Sequence, residues 1–156
     1  MKRVFQKFKQ DVSAILWISG ALILALSLAS YEPQDPSLNS LSSQWRAHNW
    51  FGLLGSFVSD LFYHVFGVCA WLPAAAFARR GVLIFQGDAE KFWNLRTLWG
   101  FLIILVSASW LSVTFPEVRI FDSQIYLGGL LGWGLAQSTL KILNPVGVQV
   151  VLLSSL

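Results

Sequence analysis

The sequence predicts an all-α fold, a polytopic bundle of transmembrane helices with three full spans, a glycine-rich helix and the start of a fourth span. Of its 156 residues, 55% are hydrophobic and 12% are charged, whereas soluble domains carry about 25% charged residues. So few charges cannot coat a soluble globule, and lipid is therefore the expected solvent. The chain also has eight Trp, twelve Phe and three Tyr, and Trp and Tyr collect at membrane interfaces.

The first predicted span covers residues 12–29, an apolar run that follows the basic segment 1–11. A cleaved signal peptide also begins with a basic segment, but its apolar core stops at about 15 residues. This run is 18 residues long. We therefore expect an uncleaved helix, with residues 1–11 forming an N-terminal segment outside the membrane and residues 12–156 forming a transmembrane anchor domain.

The second predicted span covers residues 57–78. Proline and other turn formers in residues 31–50 predict a loop before it, because proline does not continue a helix. The whole apolar stretch 51–78 would be about 42 Å long as a helix, which exceeds the hydrocarbon core of about 30 Å. We therefore expect its first turns in the interface and a kink at Pro73.

The third predicted span covers residues 98–115, and the following apolar segment is ambiguous. Residues 125–143 contain four glycines as well as Gln137 and Lys141. They form either a fourth span or a helix at the membrane surface, with Lys141 among the headgroups. Residues 146–156 reach only about 16 Å as a helix, so they are expected to be the truncated start of a span.

Basic residues are unevenly distributed among these segments, and the distribution predicts orientation. Lys and Arg accumulate in short cytoplasmic loops. Four lie in residues 1–11 and four in residues 79–96, whereas residues 31–50 and 116–124 hold one each. We therefore expect a cytoplasmic N-terminus, a cytoplasmic loop after the second span, and the other two loops outside.

Motifs for catalysis, cofactors and metals are not found in the sequence. It lacks the phosphate-binding pattern G-x-x-x-x-G-K-[ST], the pair C-x-x-C and the zinc motif H-E-x-x-H. Its two histidines, His48 and His64, are too few for a metal site of the usual kind. The sequence therefore predicts no catalytic, cofactor-binding or metal-binding residues in this chain.

Asp60 and His64 are the one ionisable pair with a helical spacing in the apolar stretch. Their i, i+4 separation puts them on one helix face. Ionisable groups within membranes often mark proton relays or transport paths, and such a path is one interpretation. The alternative, which we favour, places Asp60 at the outer interface, where it is hydrogen-bonded or hydrated.

Small residues recur at four-residue spacing in two places. Ala21, Ala25 and Ala29 form one row, and Gly128, Gly132 and Ala136 form another. Rows of this kind let transmembrane helices approach closely. They also arise from the ordinary composition of membrane helices, so specific packing at these rows is an open hypothesis.

Several short motifs resemble the N-terminal membrane domain of FtsK/SpoIIIE-type DNA translocases. Residues 30–37 read SYEPQDPS and resemble the family segment S-[YF]-x-P-x-D-P-S. Residues 49–73 are similar to the family run N-x-x-G-x-x-G-A … D-x-[LF]-F … F-G-x-x-A-[YW]-x-x-P, with Ser56 where alanine is frequent. A G-G-x-[IL]-G motif follows at residues 128–132. The matching positions are candidate interaction residues: Tyr31, Pro33, Asp35, Pro36, Asn49, Gly52, Gly55, Asp60, Phe66, Gly67, Pro73, Gly128, Gly129 and Gly132.

The resemblance implies a four-span anchor in the bacterial inner membrane at the division septum. The anchor would serve a hexameric, ATP-driven DNA translocase in cell division and chromosome segregation. Its partners would be the lipid bilayer, further copies of itself and membrane proteins of the division machinery. DNA, ATP and magnesium would be bound only by a motor domain beyond residue 156. The alternative function, from another class, is a small membrane transporter or channel subunit.

The resemblance also favours one of the two interpretations of residues 125–143. In the family, the glycine motif precedes the last span on the periplasmic side. We therefore expect a periplasmic surface helix or re-entrant helix here, with residues 146–156 beginning the fourth span.

Overall fold

The computed structural model describes residues 2–38, 46–88, 95–121 and 125–155, with side chains from residue 4 onward. Predicted turn formers at 39–43 and the basic residue Lys91 lie outside these ranges. The described residues form helices, one 3₁₀ turn and a small hairpin, which confirms the all-α polytopic prediction. In chain order the elements are α1 (Lys2–Ala29), α2 (Gly52–Phe66), a 3₁₀ turn (Gly67–Ala70), α3 (Trp71–Phe85), α4 (Leu95–Thr114), β1 (Arg119–Ile120), β2 (Ile125–Tyr126), α5 (Gly129–Leu140) and α6 (Pro145–Ser154).

Within the described residues, three helical stretches are long and apolar enough to cross a membrane: Val4–Ala29, Gly52–Phe85 and Leu95–Thr114. Each overlaps one of the three predicted spans and is longer than it, by the widest margin in the second. Helix α1 continues through the basic N-terminal segment without a break, because Lys, Arg and Gln are good helix formers. The division expected between residues 11 and 12 is therefore not a break in the helix.

The helical stretch is interrupted not at Pro73, where a kink was expected, but three to six residues earlier, at Gly67–Ala70, which forms a 3₁₀ turn. Gly67 has a φ of 59°, a left-handed conformation that glycine adopts without a steric penalty. Pro73 is the third residue of α3, where a backbone N–H has no intrahelical partner to lose. The position predicted for the kink was therefore wrong, because proline is tolerated in a first turn.

Helices α1 and α3 pack closely and antiparallel. Gly81 of α3 lies against Ile18 and the carbonyl group of Ala14, and the Trp17 ring meets the Phe77 ring edge-on at 5.1 Å. In the first predicted row of small residues, Ala21 is buried and Ala29 is exposed. The row therefore contributes to packing over part of its length.

Residues 125–143 do not form one continuous helix. Ile125–Tyr126 pairs with Arg119–Ile120 as an antiparallel hairpin, and α5 begins only at Gly129. With 12 residues, α5 is about 18 Å long, well short of the hydrocarbon core of about 30 Å. Helix α6 then begins at Pro145, and the Asn144 side chain accepts a hydrogen bond from the Gly147 N–H at 2.8 Å.

Three hydrophobic clusters hold these elements together. The largest joins α1, α2, α3 and β2 through the residues Leu24, Leu28, Tyr63, Ala70, Ala74 and Ile125. A second joins α4, α5 and α6 through Val113, Ala136, Val148 and Leu152. The third joins the 3₁₀ turn to α4 through Cys69, Ile104 and Ala108. The hairpin thus packs against the end of the bundle where α1 ends.

Candidate functional site

A buried polar network lies where α1 ends and α2 begins, and we call it the Asp35–Asn49 junction. It comprises Asp35, Asn49, the main chain of residues 27–30 and the first turn of α2. Asp35 is 2% exposed and Asn49 is 4% exposed. Buried polar groups are costly unless they are hydrogen-bonded, so their partners decide what the junction does.

The Asp35 carboxylate binds the returning end of the loop. Its Oδ1 accepts a hydrogen bond from the His48 N–H at 2.7 Å, and its Oδ2 accepts one from the Asn49 N–H at 2.8 Å. Its Oδ1 also lies 3.0 Å from His48 Nδ1. Hydrogen bonds to a charged acceptor are stronger than neutral ones. The SYEPQDPS segment is therefore fastened to the residues that start the second helix.

The Asn49 side chain closes the end of α1. Its Nδ2 donates to the carbonyl groups of Ser27 and Ser30, at 2.8 Å and 3.2 Å. The last carbonyl groups of a helix have no intrahelical partner, so Asn49 supplies one. Its Oδ1 accepts from the Phe51 N–H at 3.1 Å. The Asn49 side chain therefore acts as a hydrogen-bond donor and as an acceptor at the same time, which a side-chain amide can do.

Two glycines of the same motif are required for different reasons. A Cβ at Gly55 would overlap Asn49 Oδ1 and lie 2.7 Å from Phe51 Cβ, so the Asn49 side chain occupies the space that a methyl group would need. Gly52 has no atom within 4 Å of such a Cβ, but its φ is 59°. Its requirement is therefore conformational.

Ser56 and Ser59 complete the junction from α2. The Ser56 hydroxyl donates to the Pro36 carbonyl at 2.5 Å, so the serine found in place of the family's frequent alanine adds a tie to the loop. The Ser59 hydroxyl donates to the Gly55 carbonyl at 2.7 Å and lies 3.4 Å from Asn49 Nδ2. Both side chains are buried.

Asp60 lies one turn further along α2 and bridges Tyr31 and His64. It is 2% exposed, its Oδ1 accepts from the Tyr31 hydroxyl at 3.2 Å, and the same oxygen lies 3.1 Å from His64 Nδ1. Burial and then the nearby Asp60 charge raise the pKa of Tyr31. The phenol therefore remains a proton donor to the carboxylate. His64 Nδ1 also lies 2.9 Å from the Asp60 main-chain carbonyl oxygen, so it contacts both the carboxylate and the main chain of Asp60. Asp60 thus contacts the predicted partner His64 and, in addition, Tyr31.

An aromatic cluster covers this bridge and includes the hairpin. The ring centroids of Tyr31, Tyr63 and Phe121 are 4.7 to 5.0 Å apart. The Tyr63 hydroxyl donates to the Leu28 carbonyl at 3.2 Å and accepts from Trp71 Nε1 at 3.2 Å. The loop after α1 and the loop after α4 therefore meet at the same end of the bundle.

The glycine motif at residues 128–132 contacts Gly67, the glycine that begins the 3₁₀ turn after α2. The Val68 N–H donates to the Leu127 carbonyl at 2.9 Å. A Cβ on Gly67 would overlap that carbonyl oxygen, and one on Gly129 would come 2.5 Å from the Gly67 nitrogen. Two motifs that are distant in sequence are therefore direct packing partners, and both glycines have positive φ.

Gly128 and Gly132 fasten α5 to α4. A Cβ on either residue would overlap the Ala108 carbonyl oxygen, and Ala108 is itself fully buried. Small residues permit such backbone contact between membrane helices. The second predicted row therefore does pack specifically, with Ala136 buried in the adjoining cluster.

The remaining predicted residues support these contacts less directly. Pro33 is half-buried and Pro36 is buried in the loop, Phe66 is half-buried beside the 3₁₀ turn, and Pro73 is buried in the first turn of α3. The sequence-based prediction missed Ser59 and Tyr63. Together with Ser56 and Asp60 they repeat at three- and four-residue steps, a polar stripe on one helix face that the sequence displays.

The chemistry of the junction is structural. Its polar groups bind the chain's own main chain, and the segments described contain no group of three or more His, Cys, Asp or Glu side chains placed to hold a metal ion. On the outer surface of the junction, the side chains of Trp50 and Leu54 are 68% and 67% exposed. The network therefore fixes a rigid loop base that presents apolar side chains outward.

Sequence comparisons match the chain to a membrane region of known proteins. The model of the 4TM region of DNA translocase FtsK/SpoIIIE matches residues 6–156. The DNA translocase FtsK of Shewanella oneidensis is 28% identical over 139 residues, 85% of this chain and 15% of that protein. Its counterpart in Vibrio vulnificus is 29% identical over 155 residues, 96% of this chain and 15% of that protein. In Rickettsia typhi the match is 41% over 64 residues, 40% of this chain and 8% of that protein.

No solved structure matches the chain. The chain spans about 15% of the length of the Shewanella and Vibrio relatives. The matched region is a membrane region of those proteins, and the three apolar helices agree with a multi-pass protein of the inner membrane. The predicted resemblance is confirmed, and the chain belongs to the family of the 4TM region of DNA translocase FtsK/SpoIIIE.

Proposed function

We propose that this chain is the membrane-anchoring and septum-targeting domain of a DNA translocase that acts in cell division and chromosome segregation. The observation that carries the proposal is the Asp35–Asn49 junction, which lies within the family match over residues 6–156. Its buried polar groups form hydrogen bonds that hold the loop between α1 and α2 in place. A fixed loop with exposed Trp50 and Leu54 is suited to docking a partner protein.

The proposed topology has a cytoplasmic N-terminus, with the loop after α1 and the loop after α4 both in the periplasm. The excess of Lys and Arg in residues 1–11 and 79–96 supports this orientation. The contact between Tyr31 and Phe121 supports it further, since it requires the loops after α1 and α4 to lie on the same side. Helix α5 is too short to cross and follows the loop after α4, which supports assigning it to the periplasmic side as well.

The proposed assembly is a homo-oligomer, with a hexamer implied by the family resemblance. Division proteins in the same membrane would contact the periplasmic loop. DNA, ATP and magnesium would be engaged by a motor domain and not by residues of this anchor. The relatives are named DNA translocase, which supports a separate motor domain that acts on DNA.

Localisation in dividing cells tests septum targeting. A fluorescent fusion of the chain should gather at mid-cell, and a Trp50→Ala plus Leu54→Ala variant should remain in the membrane but spread around the cell. The matched control replaces Ile142 and Val150, which are also well exposed, at 84% and 62%, but lie after α5 and in α6, away from the junction. Uniform membrane fluorescence of the unaltered fusion would refute targeting by this domain.

A further inference from the structure

A cationic and aromatic stack lies on the hairpin, outside the junction. The Arg119 guanidinium carbon sits 4.4 Å from the centre of the Tyr126 ring, and its Nη2 donates to the Tyr126 hydroxyl at 3.1 Å. The Trp133 ring stacks on the same tyrosine, 5.6 Å between centroids with 21° between planes. The three side chains form one continuous surface, which we call the Arg119 stack.

The backbone fixes this stack. Arg119 and Tyr126 are directly paired across the two strands, and opposed cross-strand side chains contact each other. Successive strand residues point to opposite faces. Accordingly, the neighbouring pair Ile120 and Ile125 faces inward, where Ile125 is 1% exposed. The guanidinium is therefore held in place by the fold and does not depend on a ligand for its position.

The stack lies at the membrane surface. Ile125 belongs to the cluster of Leu28, which lies in the last turn of the first apolar span, Val4–Ala29. The hairpin is therefore level with the end of that span. On α5, Leu130 precedes Trp133 by three residues and so shares its face, and Leu130 is 54% exposed. The Arg119 guanidinium thus lies beside the apolar surface formed by Leu130 and Trp133.

We propose that the Arg119 stack binds the phosphate of an anionic phospholipid headgroup, with the lipid chain lying over Leu130 and Trp133. Arginine carries five N–H donors in a planar fork that matches phosphate. One of these donors bonds the Tyr126 hydroxyl, and no ion pair joins Arg119 to a carboxylate of the described residues. The positive charge favours lipids with a net negative headgroup over zwitterionic ones.

This inference goes beyond the proposed function and does not depend on septum targeting. The test titrates the purified protein in detergent with phosphatidylglycerol, with phosphatidylcholine of equal chain length, and with soluble glycerol phosphate. Lipid that binds the folded state raises the temperature of unfolding. Phosphatidylglycerol should raise it at the lowest concentration, and glycerol phosphate should have no effect, because it lacks the apolar chain.

Variants then locate the site. Arg119→Gln should raise the apparent dissociation constant for phosphatidylglycerol about tenfold, as expected for losing a charge-assisted contact. Arg119→Lys should give a smaller increase, since lysine keeps the charge and loses the planar fork. Lys141→Gln removes an exposed cation at the end of α5 and should leave the constant unchanged.

Three results would overturn the proposal. One is equal affinity for the two lipids in the unaltered protein. Another is an equal loss of affinity in Arg119→Gln and Lys141→Gln, which would indicate general charge attraction. The third is competition by glycerol phosphate at concentrations like those of the lipid, which would indicate a site for soluble anions. Unfolding temperatures without lipid show that each variant is folded.

Discussion

The side-chain amide nitrogen of Asn49 lies 2.8 Å from the carbonyl oxygen of Ser27, so a residue three positions before the start of α2 pairs with a carbonyl group at the end of α1. Ser27 is in the last turn of α1, where carbonyl groups lack helical partners. In a membrane protein this matters more than in water, because unpaired polar groups near hydrocarbon are costly. The loop between the first two helices is consequently part of the fold.

Asn49→Asp should destabilise the protein by about 3 kcal/mol, because a carboxylate cannot donate and would face two carbonyl oxygens in a buried site. The matched control is Asn144→Asp. Asn144 caps α6 through its side-chain oxygen alone, and Asp serves equally well at such a position. Thermal unfolding in detergent measures both variants. Equal stability of the two would contradict the donor role assigned to Asn49.

Gly55→Ala should cost about 2 kcal/mol, since the added methyl group overlaps the Asn49 side chain and such overpacking costs about 1–3 kcal/mol. Gly100→Ala is the control, because Gly100 lies in helix α4 with nothing within 4 Å of an added Cβ. That change should be neutral or slightly stabilising. If Gly55→Ala proved as harmless as Gly100→Ala, the close contact at Asn49 would be absent in the membrane.

Gly132→Ala should loosen α5 from α4, because its Cβ would overlap the Ala108 carbonyl oxygen. Gly134→Ala, two residues along the same helix, has open space at that position and serves as the control. Hydrogen exchange of the α5 amides should rise in the first variant and not in the second. Unchanged protection in both would show that backbone contact at Ala108 does not hold this helix.

Asp60→Asn separates the anchor from the alternative of a transporter or channel. The amide still accepts the Tyr31 hydroxyl bond, so the fold and septal localisation should be retained. A conduction path that used the Asp60 charge would lose its activity. Normal division by cells with this variant is the expected result, and loss of division with an intact, septally located protein would favour the alternative.

The spans were predictable from the sequence because hydrophobic length is a local property. The break at Gly67 was not, since it depends on the Leu127 carbonyl, which the chain supplies only after two more helices. The hairpin at Arg119–Tyr126 was missed for a related reason. Each strand has only two residues, too few for an alternating pattern to be visible.

Among the candidate residues, the sequence motifs identified Asp35, Asn49 and Gly55 but not their roles. The Asn49 amide reaches a carbonyl group 22 residues earlier, and no spacing rule connects such positions. Ser59 and Tyr63 were detectable in principle, because the polar stripe on α2 repeats with a helical period. Serine and tyrosine are common enough in membrane helices that the stripe was not singled out.

The central claim is that the Asp35–Asn49 junction and the glycine segment lie together on the periplasmic face. Labelling of single cysteines in intact cells with a membrane-impermeant maleimide tests it directly, after the sole cysteine, Cys69, is replaced by alanine. Cysteines at Leu38 and Lys141, both exposed, should be labelled from outside. A cysteine at Asp88 should be labelled only after the cells are opened. Labelling of Lys141→Cys only in opened cells would contradict the account, because α5 would then end on the cytoplasmic side.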